Sequence, residues 1–200
     1  MSSELNELYE EIALCRRCEL YRSASRAVPG EGPANARLMF IGEAPGFHED
    51  EQGRPFVGAA GQYLNQLLTS AGLSRDQVYI TNVIKHRPPA NRDPLPGEID
   101  ACSVWLDRQI AVIKPKVIIT LGRYSMARFF PGKSISRIHG VPMTKDGVIY
   151  FPMYHPAAAL HQATLRQEIE ADMLKLPALL AGPKQTAEPV APAAQQLSLF

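Results

Sequence analysis

The sequence predicts an α/β fold, a three-layer α/β/α sandwich built on a central four-stranded parallel sheet. Four short apolar runs, rich in β-branched or large side chains, predict the strands at residues 37–42, 77–83, 116–122 and 148–154. Segments with helical spacing or helix-boundary residues separate these runs. Because strands that alternate with helices favour a parallel sheet covered on both faces, the order of the elements itself predicts the fold class.

The predicted helices lie before, between and after these strands. Leu5, Leu8, Tyr9 and Ile12 recur at helical spacing, which predicts a surface helix over residues 3–14. The remaining predicted helices cover residues 61–72, a segment that follows the Pro-rich loop 87–98 and ends near residue 113, and residues 124–130 and 165–180.

The composition indicates a globular chain. The protein has 200 residues, of which 46% are apolar, and 21 basic and 20 acidic side chains give a net charge of +1. No apolar run approaches the roughly 18 residues of a membrane span, and the acidic N-terminus has no apolar segment typical of a secretory signal. Three cysteines are too few for a disulfide scaffold, which suggests a cytosolic protein whose thiols serve another purpose.

The small net charge conceals an uneven distribution of charged residues. Residues 1–12 carry four glutamates and no base, whereas the stretch from Arg108 to Lys145 carries eight basic residues and no acid. A second basic run holds Lys85, Arg87 and Arg92. Such asymmetry can give one positive face suited to nucleic acid, although ordinary solvated charge is an equally simple explanation.

Polar residues follow three of the predicted strands. Glu43, Asn82 and His155 each stand at or just beyond the end of a strand. Taken singly, they have plain explanations as a capping carboxylate, a turn asparagine and a loop histidine. Because ligands bind outside the carboxyl ends of strands in open α/β sheets, the three together predict one binding crevice.

Four motifs carry a resemblance to a known family. They are GEAPGFHEDEQGRPFVGAAGQYL, TNVIKHRPPANRDPLPGEIDAC, LGRYSMARF and YHPAAAL, in this order along about residues 10–180. The chain resembles the family 4 uracil-DNA glycosylases, the iron–sulfur branch of that superfamily. The resemblance implies a uracil-DNA glycosylase-like fold and a monofunctional hydrolase that releases uracil from DNA and leaves an abasic site during base excision repair.

The resemblance also implies roles in reading the flipped uracil. Phe56 matches the aromatic platform on which the base stacks, although a core phenylalanine is the alternative. Asn82 matches the asparagine whose amide accepts from uracil N3–H and donates to O4, a pattern that rejects cytosine. His155 matches the histidine that donates to uracil O2 as negative charge develops there.

The carboxylates have less definite roles. Glu43 is expected to orient water or stabilise the cationic sugar, as carboxylates do in other glycosidic cleavages. Ala44 is expected to be one of the uracil-binding residues. It stands where the best-known superfamily signature has a water-activating aspartate, so the general base is weaker or lies elsewhere. Glu49 is expected to line the uracil pocket and help exclude the methyl group of thymine.

The remaining site predictions concern DNA. Leu160 matches a wedge that fills the space left by the flipped base, with a plain helix start after proline as the alternative. The candidate phosphate contacts are Lys85, Arg87, Arg92, Lys133 and Arg137.

Three cysteines and one histidine form a candidate metal site. Cys15 and Cys18 make a C-x-x-C pair, and such residues bind zinc or an iron–sulfur cluster, which spacing alone does not distinguish. Family members have a fourth cysteine where this chain has His86. The resemblance therefore implies a structural [4Fe–4S] cluster held by Cys15, Cys18, His86 and Cys102, since histidine ligates cluster iron in Rieske centres. The alternative is that His86 contacts DNA or solvent and no cluster persists.

The chain divides into an enzyme and a tail. Residues 1–180 form the predicted glycosylase domain, and the Ala/Pro-rich residues 181–195 a disordered tether. The last five residues, 196–200, resemble the motif by which bacterial repair proteins dock on the DNA polymerase sliding clamp. The predicted docking side chains, with an incidental apolar C-terminus as the alternative, are Gln196, Leu197, Leu199 and Phe200.

We therefore expect a cytoplasmic, nucleoid-associated bacterial monomer that acts on uracil-containing DNA. A related subgroup also has histidine in place of the fourth cysteine, but it carries an inserted basic loop and captures its product covalently. This chain lacks that insertion after His86, which favours turnover. The alternatives are a glycosylase for another deaminated base, a non-catalytic protein that binds damaged DNA, and a redox sensor.

Overall fold

A five-stranded sheet forms the centre of the computed structural model, which describes residues 3–181. The strand order is β2-β1-β3-β5-β4, and the first four strands in that order run parallel. The strands are β1 (Leu38–Gly42), β2 (Tyr79–Asn82), β3 (Val117–Leu121), β4 (Met143–Lys145) and β5 (Val148–Met153). The predicted α/β class with four parallel strands is confirmed, and each predicted strand is present.

The fifth strand corrects the predicted strand count. β4 pairs antiparallel with β5, with Met143 opposite Tyr150. A two-residue turn, Asp146 and Gly147, joins them with φ of 51° and 77°. Positive φ at both central residues gives the twist that suits a tight hairpin. A strand of three residues, none of them fully buried, is too short and too polar to be predicted from hydrophobicity.

Helices cover the sheet, in agreement with a three-layer sandwich. The helices are α1 (Ser3–Ala13), α2 (Phe47–Gln52), α3 (Ala59–Ser70), α4 (Pro96–Ile113), α5 (Arg123–Phe129), α6 (Ile135–Ile138), α7 (Pro156–Ala159), α8 (Ala163–Met173) and α9 (Leu176–Ala181). Short 3₁₀ turns lie at Glu19–Arg22, Arg75–Gln77 and Pro89–Asn91. The single closing helix predicted over 165–180 is two helices, because Pro177 lacks the amide hydrogen that a continuous helix needs.

Two apolar cores lie on opposite faces of the sheet. Leu38 and Phe40 of β1 belong to the core that includes residues of α3 and α8. Met39 and Ile41, the alternate residues of the same strand, belong to the core that includes residues of α1 and α4. Because successive side chains of a strand point to opposite faces, a strand buried on both faces is apolar at every position, as β1 is.

The described residues bear on two further predictions. No helix within residues 3–181 is long and apolar enough to cross a membrane. The predicted tether from residue 182 onward and the whole of the predicted docking motif, 196–200, lie outside the described residues, so both stay predictions.

Candidate active site

A cavity of about 330 Å³ lies beyond the carboxyl ends of β1, β2 and β5. The structure brings Glu43, Asn82 and His155 together in its lining, from the three strand ends named above. Phe56 also lines it, from the loop between α2 and α3. A cavity of this size is within the usual range for binding sites of small ligands.

Phe56 is held in a strained backbone conformation under the cavity. Its φ is 50°, a left-handed value that is unfavourable for a bulky residue, and its side chain is 5% exposed. The ring stacks on His155, with 5.5 Å between ring centroids and 28° between planes. A Cβ at position 42 would lie 2.7 Å from the Phe56 ring and would also strike Asn82 Oδ1, so Gly42 leaves room for both side chains. A Cβ at position 61 would collide with the Phe56 carbonyl.

Arg75 holds the Phe56 loop in place, and the sequence motifs gave no indication of it. Its guanidinium donates to the carbonyl of Phe56 at 3.2 Å and to that of Pro55. It also pairs with Glu31 at 3.1 Å, which fixes the guanidinium from the opposite side. Because Arg75 lies in a 3₁₀ turn just before β2, it connects the aromatic platform to the strand that carries Asn82.

Asn82 presents an unsatisfied acceptor at this site. The residue is 2% exposed, and it lies at the end of β2 opposite Gly42. Among the described residues, its Oδ1 atom is one of two buried side-chain polar atoms without a hydrogen-bond partner; the other is Thr120 Oγ1. A buried polar atom without a partner costs on the order of 1–3 kcal/mol, which a ligand N–H would recover.

His155 is set up to donate a hydrogen bond while neutral. Its Nδ1 accepts the backbone N–H of Ala157 at 3.1 Å, so the ring proton of the neutral form sits on Nε2. Burial lowers the pKa of His155 to about 4, and the opposing attraction of the Glu49 carboxylate is smaller. At neutral pH the residue is therefore an uncharged imidazole with Nε2–H as its donor.

Glu43 has a pKa suited to accepting a proton near neutrality. The pKa of Glu43 is raised to about 7, first by burial and then by the negative charge of Asp93, while the positive charge of Arg123 opposes both. A general base works best when its pKa lies near the working pH. Neighbouring Ala44 also lines the cavity, and its side chain has no group that could accept a proton.

Glu49 lines the cavity, and its carboxylate accepts hydrogen bonds from three backbone N–H groups. One oxygen accepts the N–H groups of Val57 and Gly58, each at 2.8 Å, and the other accepts that of Gly46 at 3.1 Å. These bonds connect the start of α2 to the loop that carries Phe56. Glu49 thus shapes the pocket wall by fixing the backbone around it.

One predicted phosphate contact is corrected by the structure. Lys85 is 0% exposed, and its ammonium donates to Thr81, Asn82 and Gln109 inside the protein. It is therefore not placed to contact a phosphate. Lysine is rarely fully buried, which is why the basic run around it predicted a surface position.

The other predicted DNA contacts lie at or near the surface. Arg92 lines the cavity and pairs with Glu98 through two hydrogen bonds, at 2.9 and 2.6 Å. Arg87 donates to Asn91 at 2.6 Å and lies 5.1 Å from the centre of the Phe47 ring. Like Arg92, Lys133, Arg137 and Leu160 are exposed; Leu160 lies at the end of α7 and is 48% exposed.

The four predicted cluster ligands lie in one region. The three cysteines come from separate segments of the chain, and His86 comes from the loop after β2. Cys15 follows α1, Cys18 immediately precedes the first 3₁₀ turn, and buried Cys102 lies in α4. The pKa of Cys102 is raised to about 11, chiefly by burial; Lys85 opposes this shift, and Cys18 and Cys15 add to it. Buried His86 shares a surface cavity with Cys15. Among residues 3–181, no three His, Cys, Asp or Glu side chains are arranged to hold a metal ion.

Comparison with known proteins identifies the family. Residues 29–175 match the model of the uracil DNA glycosylase superfamily, a match that spans the sheet and every cavity residue described above. The chain belongs to this superfamily. It is 48% identical to the type-4 uracil-DNA glycosylase of Sulfurisphaera tokodaii, over 90% of this chain and 87% of the relative. The type-4 enzymes of Archaeoglobus fulgidus (44%; 90% and 95% covered) and Thermotoga maritima (41%; 86% and 93%) are similar relatives.

Similarity to the type-4 enzymes confirms the resemblance stated from the motifs. The superfamily match begins at residue 29, so Cys15 and Cys18 precede it, whereas His86 and Cys102 fall within it. The cysteine pair is therefore not part of what the superfamily model recognises.

Proposed function

We propose that the protein is a monofunctional uracil-DNA glycosylase of base excision repair. It hydrolyses the N-glycosidic bond of deoxyuridine in DNA, releases uracil and leaves an abasic site. The observation that carries the proposal is the unpaired Oδ1 of buried Asn82, which lies at the cavity beside the Phe56 ring and the Nε2–H donor of His155. A stacking surface, an acceptor and a donor are the groups that recognise one flipped pyrimidine.

Base selection follows from the fixed acceptor. Uracil presents an N3–H donor to Asn82 Oδ1 and so satisfies an atom that is otherwise unpaired. Cytosine presents a bare N3 nitrogen there, which would set two lone pairs against each other. A site that leaves buried polar groups unpaired with the wrong substrate discriminates strongly against it.

The reaction uses Glu43 and His155. The C1′–N1 bond breaks with its electron pair going to uracil N1, which leaves positive character on the sugar. His155 Nε2–H donates to uracil O2 as negative charge spreads over the base. A water molecule attacks C1′ and transfers a proton to the Glu43 carboxylate, whose pKa of about 7 suits this role.

A [4Fe–4S] cluster held by Cys15, Cys18, His86 and Cys102 is part of the proposal. The location of three buried or half-buried thiols and one buried imidazole in one region supports it, as does the Trp105 indole N–H that donates to Cys15 Sγ at 3.1 Å. The cluster would fasten the N-terminal segment to α4 and to the loop after β2, and base hydrolysis requires no electron from it. Anaerobic preparation should yield iron and sulfide in equal amounts; stoichiometric zinc in their place would contradict the assignment.

We propose a DNA-facing surface that includes four basic side chains, of which Arg92 lines the cavity. Arg87, Arg92, Lys133 and Arg137 contact phosphates, and exposed Leu160 enters the space left by the flipped nucleotide. Replacing Lys133 or Arg137 by glutamine should weaken DNA binding and reduce its salt dependence. A salt dependence equal to that of the native protein would argue against those contacts.

The tail is proposed to recruit a cytoplasmic, nucleoid-associated monomer to replicating DNA. The polymerase sliding clamp would bind Gln196, Leu197, Leu199 and Phe200, which follow the Ala/Pro-rich residues 181–195. Deleting residues 196–200 should abolish clamp binding and leave excision from short oligonucleotides unchanged. Unchanged clamp binding would refute the docking role, and light scattering tests the monomeric state.

Strand cleavage tests the main proposal. The purified protein is incubated with duplexes that contain uracil, hypoxanthine or a thymine mismatch, and abasic sites are then cleaved with alkali. We expect breakage at uracil and little at the other two. Absence of breakage at uracil would refute the proposal, and preferential breakage at hypoxanthine would favour a different deaminated base.

A further inference from the structure

Lys85 occupies an unusual position for a lysine. Its side chain is 0% exposed, and its Nζ donates to Thr81 Oγ1 at 2.8 Å, to the Asn82 carbonyl at 2.7 Å and to Gln109 Oε1 at 2.7 Å. An ammonium has three donors, so every one is used. Burying a cation among neutral acceptors is costly, even when each donor is satisfied. An apolar side chain of similar length would avoid that cost, which suggests that the contacts themselves are needed.

The bond to Asn82 lies on the outer side of an edge strand. β2 ends the sheet, and on its outer side Ile80 exchanges backbone hydrogen bonds with Glu31, at 2.8 and 2.9 Å. The next carbonyl on that side is that of Asn82, because alternate carbonyls of a strand point the same way. Lys85 Nζ supplies the donor that a neighbouring strand would otherwise supply.

We propose that Lys85 is a positioning residue for base recognition, which fixes the backbone of Asn82 so that Oδ1 points into the cavity. This inference rests on the proposed function. Within the described residues Oδ1 has no hydrogen-bond partner, so only the backbone and packing set its direction. On the inner side, the N–H of Val83 bonds to the Gly42 carbonyl at 3.0 Å. Lys85 holds the outer side, and the two contacts together immobilise the peptide that carries the reading amide.

Gln109 in turn fixes Lys85. Gln109 is 0% exposed, and its Nε2 donates to the carbonyl of Pro29 at 2.7 Å and to the Tyr79 hydroxyl at 2.8 Å. Because the side-chain amide nitrogen of Gln109 donates to these two acceptors, its Oε1 is the atom that accepts from the Lys85 ammonium. The end of β2 is thereby joined to the middle of α4, a connection between the base-reading residue and the helix that carries Cys102.

A double-mutant cycle tests this role. Lys85→Met keeps a long apolar side chain and removes all three donors. If Lys85 acts through Asn82, the substitution should lower kcat/KM for uracil excision by about tenfold to 100-fold in the native background, as small misplacements of a substrate-binding group do. In an Asn82→Ala background, where no amide remains to be positioned, it should lower kcat/KM by less than about twofold. Inhibition by free uracil should weaken in Lys85→Met, and inhibition of the double variant should equal that of Asn82→Ala alone.

The controls separate positioning from general destabilisation. Leu106→Ala removes a fully buried side chain of α4 and should lower the denaturation midpoint while leaving kcat/KM unchanged in both backgrounds. If Lys85→Met fails to fold, Gln109→Met is used instead, because it removes one of the three acceptors of Lys85. It should lower kcat/KM by less than Lys85→Met, and this effect should again be small in the Asn82→Ala background. An equal loss in both backgrounds, or native activity in Lys85→Met, would overturn the inference. Lack of excision by the native protein would refute the proposed function instead.

Discussion

Glu43 should set the pH dependence of the reaction. Its pKa of about 7 means that the carboxylate needed to accept a proton from water is present above pH 7 and lost below it. His155, with a pKa of about 4, stays neutral from about pH 5 upward and adds no change in that range. The rate should therefore rise with pH through a single transition governed by Glu43.

The size of the effect follows from the ionised fraction. With a pKa of about 7, about 9% of Glu43 is ionised at pH 6 and about 91% at pH 8, so kcat should rise about tenfold between them. Glu43→Gln removes the titrating group and should lower kcat by about 100-fold to 10,000-fold at pH 8, with little remaining dependence on pH. Asp93→Asn removes a negative charge that raises the Glu43 pKa, and so should move the transition to lower pH.

Single-turnover excision from a uracil-containing oligonucleotide, measured from about pH 5.5 to 8.5, provides the assay. Asp146→Asn is the matched control, because this exposed carboxylate lies in the turn between β4 and β5, away from the cavity, and should leave the transition unchanged. A Glu43→Gln variant that keeps both the native rate and the native pH profile would refute the role of Glu43 as base.

Three further substitutions test the pocket. His155→Ala removes the Nε2–H donor and should lower kcat by about 100-fold to 1,000-fold, the usual cost of losing one such donor, with KM little changed; a loss confined to KM would contradict a transition-state role. Arg75→Met removes the donors to the Pro55 and Phe56 carbonyls. It should lower the free energy of unfolding, measured by urea denaturation, by about 1–3 kcal/mol, and it should also lower kcat/KM for excision. A change in stability alone would show that the position of Phe56 does not depend on Arg75. Gly42→Ala places a Cβ 2.7 Å from the Phe56 ring and should lower kcat/KM. The control, Gly97→Ala, meets no neighbouring atom within 4 Å and should leave kcat/KM unchanged. Equal activity in the two variants would mean that the pocket does not need glycine at position 42.

The order of strands and helices was predictable because local patterns determine it. Apolar runs buried on both faces predict parallel strands, and Glu43, Asn82 and His155 converge because the carboxyl ends of parallel strands share one edge. That reasoning needs only the sequence position of each strand end. β4 was not predicted, because its three half-buried or exposed residues carry no hydrophobic signal.

Contacts between distant residues were beyond what the sequence patterns convey. Lys85 belongs to a basic run and was expected at the surface, but its burial depends on Gln109, which α4 brings from 24 positions along the chain. Arg75 belongs to none of the motifs, yet it fixes the backbone of Phe56 from 19 positions away. In both cases a charged side chain is held by carbonyl or amide oxygens that only the folded chain assembles.

The most direct test of the central claim is release of free uracil under multiple turnover, measured together with abasic sites and with a denaturing gel for protein–DNA adducts. We expect equal amounts of free uracil and abasic sites, many per molecule of enzyme, and a rate that falls steeply in Asn82→Ala. Retention of uracil in intact DNA, or an adduct that survives denaturation with at most one uracil lost per protein, would contradict it.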